Sequence, residues 1–289
     1  MSHLFCFGMG YSASLLARRL AARGWRISGT STTETGADAI ARAGWHGLLF
    51  DGAARSPAVS AALAEATHAV VSAPPGPAGD PALAHHADDL ARSSALGWIG
   101  YLSTLGVYGD HGGRWIDETT PLAPDLPRTR RRVEAESAWL AFSRESGKRV
   151  QVFRLAGIYG PGRSAVDNVR DGTARRIVKP GQVFNRIHVE DIAAVLAAAI
   201  ERGGTHEVYN VTDDEPAPPQ DVIAYAAELL GAPLPPAIPF ENAALSEMAR
   251  SFYADNRRAS NARMKSDLGV TLAYPTYREG LRAIAQSGT

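Results

Sequence analysis

The sequence predicts a doubly wound α/β fold, a parallel sheet with helices on both faces, completed by a small C-terminal lobe. Three observations predict it. Short apolar runs alternate with helical stretches through the first part of the chain, the spacing of strand-helix-strand units. A glycine turn joins the first run to the first helix. The second half loses this regularity and becomes proline-rich toward its end.

Leu4 to Gly8 (LFCFG) is apolar throughout and ends at glycine, as a strand covered on both faces does. Ser12 to Arg23 repeats apolar residues at helical spacing, and Gly24 stands where a helix stops. Trp25 to Thr30 (WRISGT), His46 to Phe50 (HGLLF), His68 to Ala73 (HAVVSA, broken by Pro74-Pro75) and Trp98 to Ser103 (WIGYLS) predict the second to fifth strands. Gln151 to Leu155 (QVFRL) predicts a sixth. Asp191 to Arg202 reads as a helix with Asp191 at its N-cap or in its first turn, and Val208 to Val211 as another strand. Pro216 to Pro219 and Pro233 to Pro239 read as connectors around a helix over Asp221 to Leu230. The expected division is a doubly wound sheet domain over 1–156, with returns near 183–211, and a smaller lobe from 157–182 and 212–289.

Composition narrows the function classes. In 289 residues, 30 Lys+Arg balance 30 Asp+Glu, which gives no general attraction to nucleic acid or to an anionic membrane. The one cysteine, Cys6, forbids an internal disulfide and a cysteine-based metal cluster, so the expected location is the cytoplasm. The start, MSHLFCFGMG, has no basic segment followed by a long apolar stretch. No run of about 18 apolar residues is present, so no membrane span is expected.

Gly8-Met9-Gly10-Tyr11-Ser12-Ala13 has the form G-x-G-x-x-A between a strand and a helix. Gly8 permits the tight turn, Gly10 lets backbone approach a pyrophosphate, and Ala13 lets helix and strand pack closely. The free N–H groups and positive end of the helix then face the anion. An NAD-selective domain typically carries a carboxylate about 20 residues after the loop. Here Thr30, Ser31, Thr32 and Thr33 fill that stretch, with Glu34 slightly beyond, so NADP is expected over NAD.

The ordered motifs GMGYSA, Asp51, Ser103-Thr104 with Val107-Tyr108-Gly109, RLAGIYGPGR (154–163), RIHVEDIA (186–193) and VYNV (208–211) resemble the extended short-chain dehydrogenase/reductase superfamily. The match is to its NAD-dependent epimerase/dehydratase branch, covers about residues 4–215, and implies a Rossmann fold. It implies that Asp51 contacts the adenine side and that Ser72, Ala73, Pro74 and Pro75 run beside the adenosine ribose and pyrophosphate. It places Ser103 and Thr104 at the catalytic hydroxyl position, and Arg163 and Arg186 near the substrate, where arginine holds phosphates through paired hydrogen bonds. The superfamily often forms homodimers.

One part of the pattern is missing. The superfamily's Tyr-x-x-x-Lys pair cannot occur, because Arg144, Arg175 and Asn261 stand four residues before Lys148, Lys179 and Lys265. The segment PRTRRRVEAE (127–136) puts Arg128 at the tyrosine position and Arg132 at the lysine position. Arg132 retains the charge to hold a ribose; Arg128, with a pKa of about 12 or above, is no general acid. Tyr108 is the candidate acid nearest in sequence, against its reading as a packing residue. His85, Asp88 and Asp89 share a helix side and read as a solvated face rather than a metal site; His188 reads as a structural joint. The expectation is an NAD(P)-binding oxidoreductase or epimerase-like enzyme with an atypical site, acting on a small and perhaps nucleotide-linked molecule. The alternative is a non-catalytic redox-sensing or scaffold protein.

Overall fold

The computed structural model describes residues 1–288. The chain builds β1 (His3–Phe7), α1 (Tyr11–Ala21), β2 (Arg26–Ser31), α2 (Glu34–Arg42), β3 (His46–Leu49), α3 (Pro57–Glu65), β4 (His68–Val71), α4 (Pro81–Arg92) and β5 (Trp98–Thr104). After β6 (Trp115–Ile116) come α5 (Pro127–Ser146), β7 (Arg149–Leu155) and β8 (Gly157–Tyr159). Next are α6 (Ala165–Arg170), β9 (Arg176–Val178), β10 (Arg186–His188), α7 (Val189–Arg202) and β11 (Val208–Val211). The chain ends with α8 (Pro219–Leu229), β12 (Ala237–Pro239), α9 (Glu247–Phe252), β13 (Arg258–Ala259), α10 (Ala262–Leu268) and α11 (Tyr277–Gln286).

Seven strands form one parallel sheet in the order β11-β7-β5-β4-β1-β2-β3. The order reverses between β1 and β4, which opens a crevice at the carboxyl edge where such folds bind ligands. Alternation along the strands feeds two cores. Leu4, Cys6, Val70 and Phe153 pack on the side of α1 and α7, whereas Phe5, Phe7, Val71 and Val152 pack with α3, α4 and α5. All these side chains are buried. Burial of Cys6 pushes its thiol up to about 12, so it is an inert packing residue. Among the described residues no helix is long and apolar enough to cross a membrane.

The lobe consists of small paired pieces: β8 with β10, β9 with β12, and β6 with β13. Tyr159, Val166, Val222, Tyr277 and Leu281 form its core. Two points differ from the sequence reading. The connector Pro233 to Pro239 contains β12, a three-residue strand paired with β9 alone, which tolerates proline because an edge strand need not donate every N–H. Met264 and Leu268 of α10 pack in the main core, so this stretch of 212–289 lies against the sheet domain rather than the lobe.

Helix α5 positions much of the site. Pro127 sits at its first turn, where a missing N–H costs nothing. Gly147 closes it in the left-handed conformation at φ +71°. Between them Ala135, Glu136, Trp139 and Phe142 face the sheet.

Candidate active site

The glycine loop has the geometry that a pyrophosphate requires. Gly8 lies at φ +83°, a conformation that favours glycine. Its N–H donates to Thr30 Oγ1 at 2.8 Å, and its carbonyl accepts from Ser72 Oγ at 2.6 Å. Met9 N–H donates to the Thr30 carbonyl at 2.9 Å. A side chain on Gly10 would meet only Ser72 Oγ, at 4.0 Å, so the space above it is open. Helix α1 begins there with no side-chain cap and no acidic residue in its first turn. Its first N–H groups therefore face the open cradle uncapped, and the residues present fit a dinucleotide pyrophosphate.

These contacts revise the part assigned to Thr30. It is buried under the loop with its hydroxyl accepting from Gly8, so it shapes the turn. Ser31 is half-buried and Thr32 exposed at the end of β2. Ser31 Oγ accepts from Thr33 N at 3.2 Å, and Thr33 caps α2. Asp51 is exposed after β3 and accepts from Ala53 N at 2.9 Å. Ser12 and Ala13 are buried where α1 meets the sheet, and Tyr11 reaches from α1 to the Pro161 carbonyl at 2.9 Å.

The carboxyl ends of β4, β5 and β7 open onto a cavity of about 920 Å³. It brings together Pro74, Pro75, Ser103, Thr104, Arg132, Arg163 and Arg186 from the sequence reading. The glycine-loop residues, Asp51, Ser72, Ala73 and Tyr108 are not among its walls.

The two adjacent hydroxyls have opposite polarity. Ser103 Oγ donates to Glu136 Oε1, so its proton is committed and only its lone pairs remain. Thr104 Oγ1 accepts from Gly106 N at 3.1 Å, which leaves its proton uncommitted, and the residue is half-buried on the cavity wall. Strand register sets up the first arrangement. Ser103 of β5 lies beside Arg154 of β7, which lies beside Asn210 of β11. The whole row is buried.

Tyr108, in the turn after β5, bonds to that row, and this corrects its candidacy as general acid. It is fully buried, donates to Asn210 Oδ1 at 2.8 Å and accepts from Arg154 Nη1 at 2.7 Å. Burial raises its pKa and the Arg154 charge pulls against it. With both sides of the hydroxyl engaged inside the core, it has no route to a reacting atom.

Arg132 Nη1 donates to Tyr101 Oη at 2.9 Å and to the Leu102 carbonyl at 3.0 Å, fixing one edge of the guanidinium on β5. Arg128 makes no side-chain hydrogen bond among the described residues and lies 5.0 Å over the Phe252 ring. Arg186 is held by the carbonyls of Phe184 and Ala217 at 2.9 and 3.0 Å, so it anchors the lobe to β10. Burial lowers its pKa, against the pull of Asp213. Arg163 is exposed at the rim. His188 caps α7, its Nδ1 accepting from Glu190 N at 3.2 Å; burial holds its pKa near about 4, so it is neutral at pH 7. His85 binds the Gly52 carbonyl, and His86 is buried against Asp89, which Arg55 also pairs. This ties α4 to the segment before α3, and the helix side is not simply a solvated face.

The sequence reading missed Arg131, Arg257 and Tyr253 on the cavity wall. Arg131 was visible in the RTRRR run, where Arg128, Arg131 and Arg132 share a side at i, i+3 and i+4. Tyr253 and Arg257 follow a helix of six residues, too short to show a helical period.

Fold and glycine loop together define a dinucleotide-binding α/β protein. The chain belongs to the NAD dependent epimerase/dehydratase family, whose model matches residues 8–212. It is similar to Protein YeeZ of Escherichia coli (strain K12), 28% identical over 298 residues, covering 95% of this chain and 97% of that protein. It is also similar to a 3-diazoavenalumate denitrifying reductase of a Streptomyces species, 32% identical over 215 residues, 68% of this chain and 67% of that one. A solved structure of a functionally unknown conserved protein from Silicibacter pomeroyi superposes with a TM-score of 0.89 at 52% identity, covering 100% of this chain and 99% of the other.

Proposed function

We propose that the protein is a nicotinamide-dinucleotide-dependent reductase that prefers NADP and acts on a small molecule in the cavity beside Thr104. The observation that carries this reading is the uncommitted Thr104 proton at the end of β5, with the glycine cradle on β1 one strand beyond β4. When bound, the nicotinamide group supplies or accepts a hydride. Thr104 donates a hydrogen bond to a substrate oxygen, and Ser103, its own proton on Glu136, accepts one. The free edge of Arg132 serves a ribose hydroxyl. With arginine in place of the usual tyrosine, the site stabilises the developing negative charge by fixed donors and charges, and the proton that balances the hydride comes from solvent water. Ser31, Thr32 and the backbone of that turn offer a 2′-phosphate no carboxylate before Glu34.

The same reading assigns substrate contacts to the lobe from 157–182 and 212–289, apart from α10, which packs on the sheet domain. It also carries a cytoplasmic location, supported by the lone buried thiol of Cys6, and a homodimer as the resemblance implies. The absent Tyr-x-x-x-Lys favours a second reading, a dinucleotide-binding protein without turnover. Thr104→Val separates them. On a panel of carbonyl and conjugated acids, the loss of reduced-cofactor absorbance should slow by about 10²-fold while NADPH affinity holds. Turnover that ignores the substitution defeats the assigned role of Thr104.

A further inference from the structure

We propose that the cavity takes a carboxylic acid with an apolar, aromatic-sized body, held by Arg128, Arg131 and Arg163, and does not take a sugar. The inference rests on the reading of this cavity as the substrate site.

Charge points to the acid. Of the arginines on the wall, Arg132, Arg186 and Arg257 are fixed by backbone carbonyls. Arg128, Arg131 and Arg163 make no side-chain hydrogen bond among the described residues, and Arg131 Nε is buried without a partner. A buried guanidinium N–H without an acceptor is unfavourable, and an oxyanion pairing with the rest of the Arg131 fork on the cavity wall offsets that cost. The one carboxylate on the wall, Asp255, is already paired with Arg257 at 2.9 Å. The site is therefore strongly cationic, with planar donors that match a carboxylate.

Neutral polarity argues against a sugar. Ring hydroxyls need several uncommitted donors and acceptors, and the wall has few. Ser103 is committed to Glu136, Thr129 to the Leu126 backbone, and Asn185 to Arg257 and Ala259 on its two sides. Tyr159 donates to the Thr276 carbonyl at 3.4 Å. As donors, only the hydroxyls of Thr104 and Tyr253 remain among the described neutral side chains, with the lone pairs of Ser103 as an acceptor beside them. The rest of the wall is apolar, with Ile158, Ile177, Val183, Phe184, Leu245 and Phe252. Apolar contact and a few convergent charges suit a flat hydrophobic acid.

Calorimetry on the full chain, with and without NADPH, tests this with three probes: trans-cinnamate, cinnamyl alcohol and the uncharged sugar phenyl β-D-glucoside. Cinnamate is expected to bind, and the alcohol and the glucoside to bind at least about tenfold more weakly, as loss of a charge-assisted bond or unmatched hydroxyls would cause. Arg131→Gln should weaken cinnamate by about tenfold or more with NADPH affinity kept, and Arg131→Lys should recover part of the loss. No cinnamate binding, equal binding of the alcohol, tighter binding of the glucoside, or an indifferent Arg131→Gln would each overturn the inference. Failure of NADPH to bind would instead defeat the proposed function, because the arm without NADPH reads the acid separately.

Discussion

Arg154 grips both carboxylate oxygens of Glu136 in the core, Nη2 to Oε2 at 2.7 Å and Nε to the two oxygens at 3.2 and 3.1 Å. Both side chains are almost wholly shielded from water. The pair holds α5 against β7 at the level of Ser103. Glu136→Ala leaves a buried guanidinium uncompensated and should cost about 3–5 kcal/mol. Urea unfolding measures it; a loss below that of an ordinary surface pair would mean that water reaches Arg154.

Tyr108→Phe removes a hydroxyl bonded on both sides, to Arg154 and Asn210. Stability should fall by about 1–3 kcal/mol, and NADPH affinity and any turnover should stay within a few-fold. A large loss of turnover at unchanged stability would return Tyr108 to the chemistry.

Gly8→Ala places a Cβ 3.2 Å from Ala73 N and from Ser72 Oγ, on a residue at φ +83°. The backbone strain alone is about 1–2 kcal/mol. The melting temperature should drop and NADPH affinity with it, since relief of the strain opens the cradle. An unchanged melting temperature would contradict the loop geometry.

Burial pushes Asp213 up to about 8, against the pull of the Arg186 charge. The folded carboxyl keeps a proton that the unfolded chain releases near 3.8, so folding binds protons and stability falls as pH rises from about 4 to about 8. His188, lowered by burial from 6.5 to about 4, works in the opposite sense below 6.5. Between 6.5 and about 8 the Asp213 contribution stands out. Urea midpoints of the native chain should decline over that window, and those of Asp213→Asn should stay flatter. Equal slopes would show that Asp213 is ionised in the fold.

Where local pattern and global fold agree, the sequence reading succeeds. The run LFCFG followed by G-x-G-x-x-A reports both β1 and the turn, because a doubly covered strand and a glycine at positive φ each leave a mark on residue type. Tyr108 and Thr30 left no such mark. Their roles follow from register across β5, β7 and β11 and from a hydrogen bond between residues 8 and 30, which a linear motif does not record. Arg131 was visible as a charge, but that it lines a cavity depends on Phe252 and Tyr253 arriving from a short helix far along the chain. The strands β9 and β12 have three residues each, too few for alternation to register.

The most direct measurement of the central claim is a calorimetric titration of the native chain and of Gly10→Asp with NADPH and NADH. A side chain at Gly10 meets nothing closer than 4.0 Å, so the variant should fold, yet it puts a carboxylate where the pyrophosphate belongs. The native chain should bind one equivalent of either cofactor, NADPH more tightly, and Gly10→Asp should bind neither. Equal binding by the variant, or no binding of either cofactor by the native chain, would contradict a nicotinamide dinucleotide on this loop.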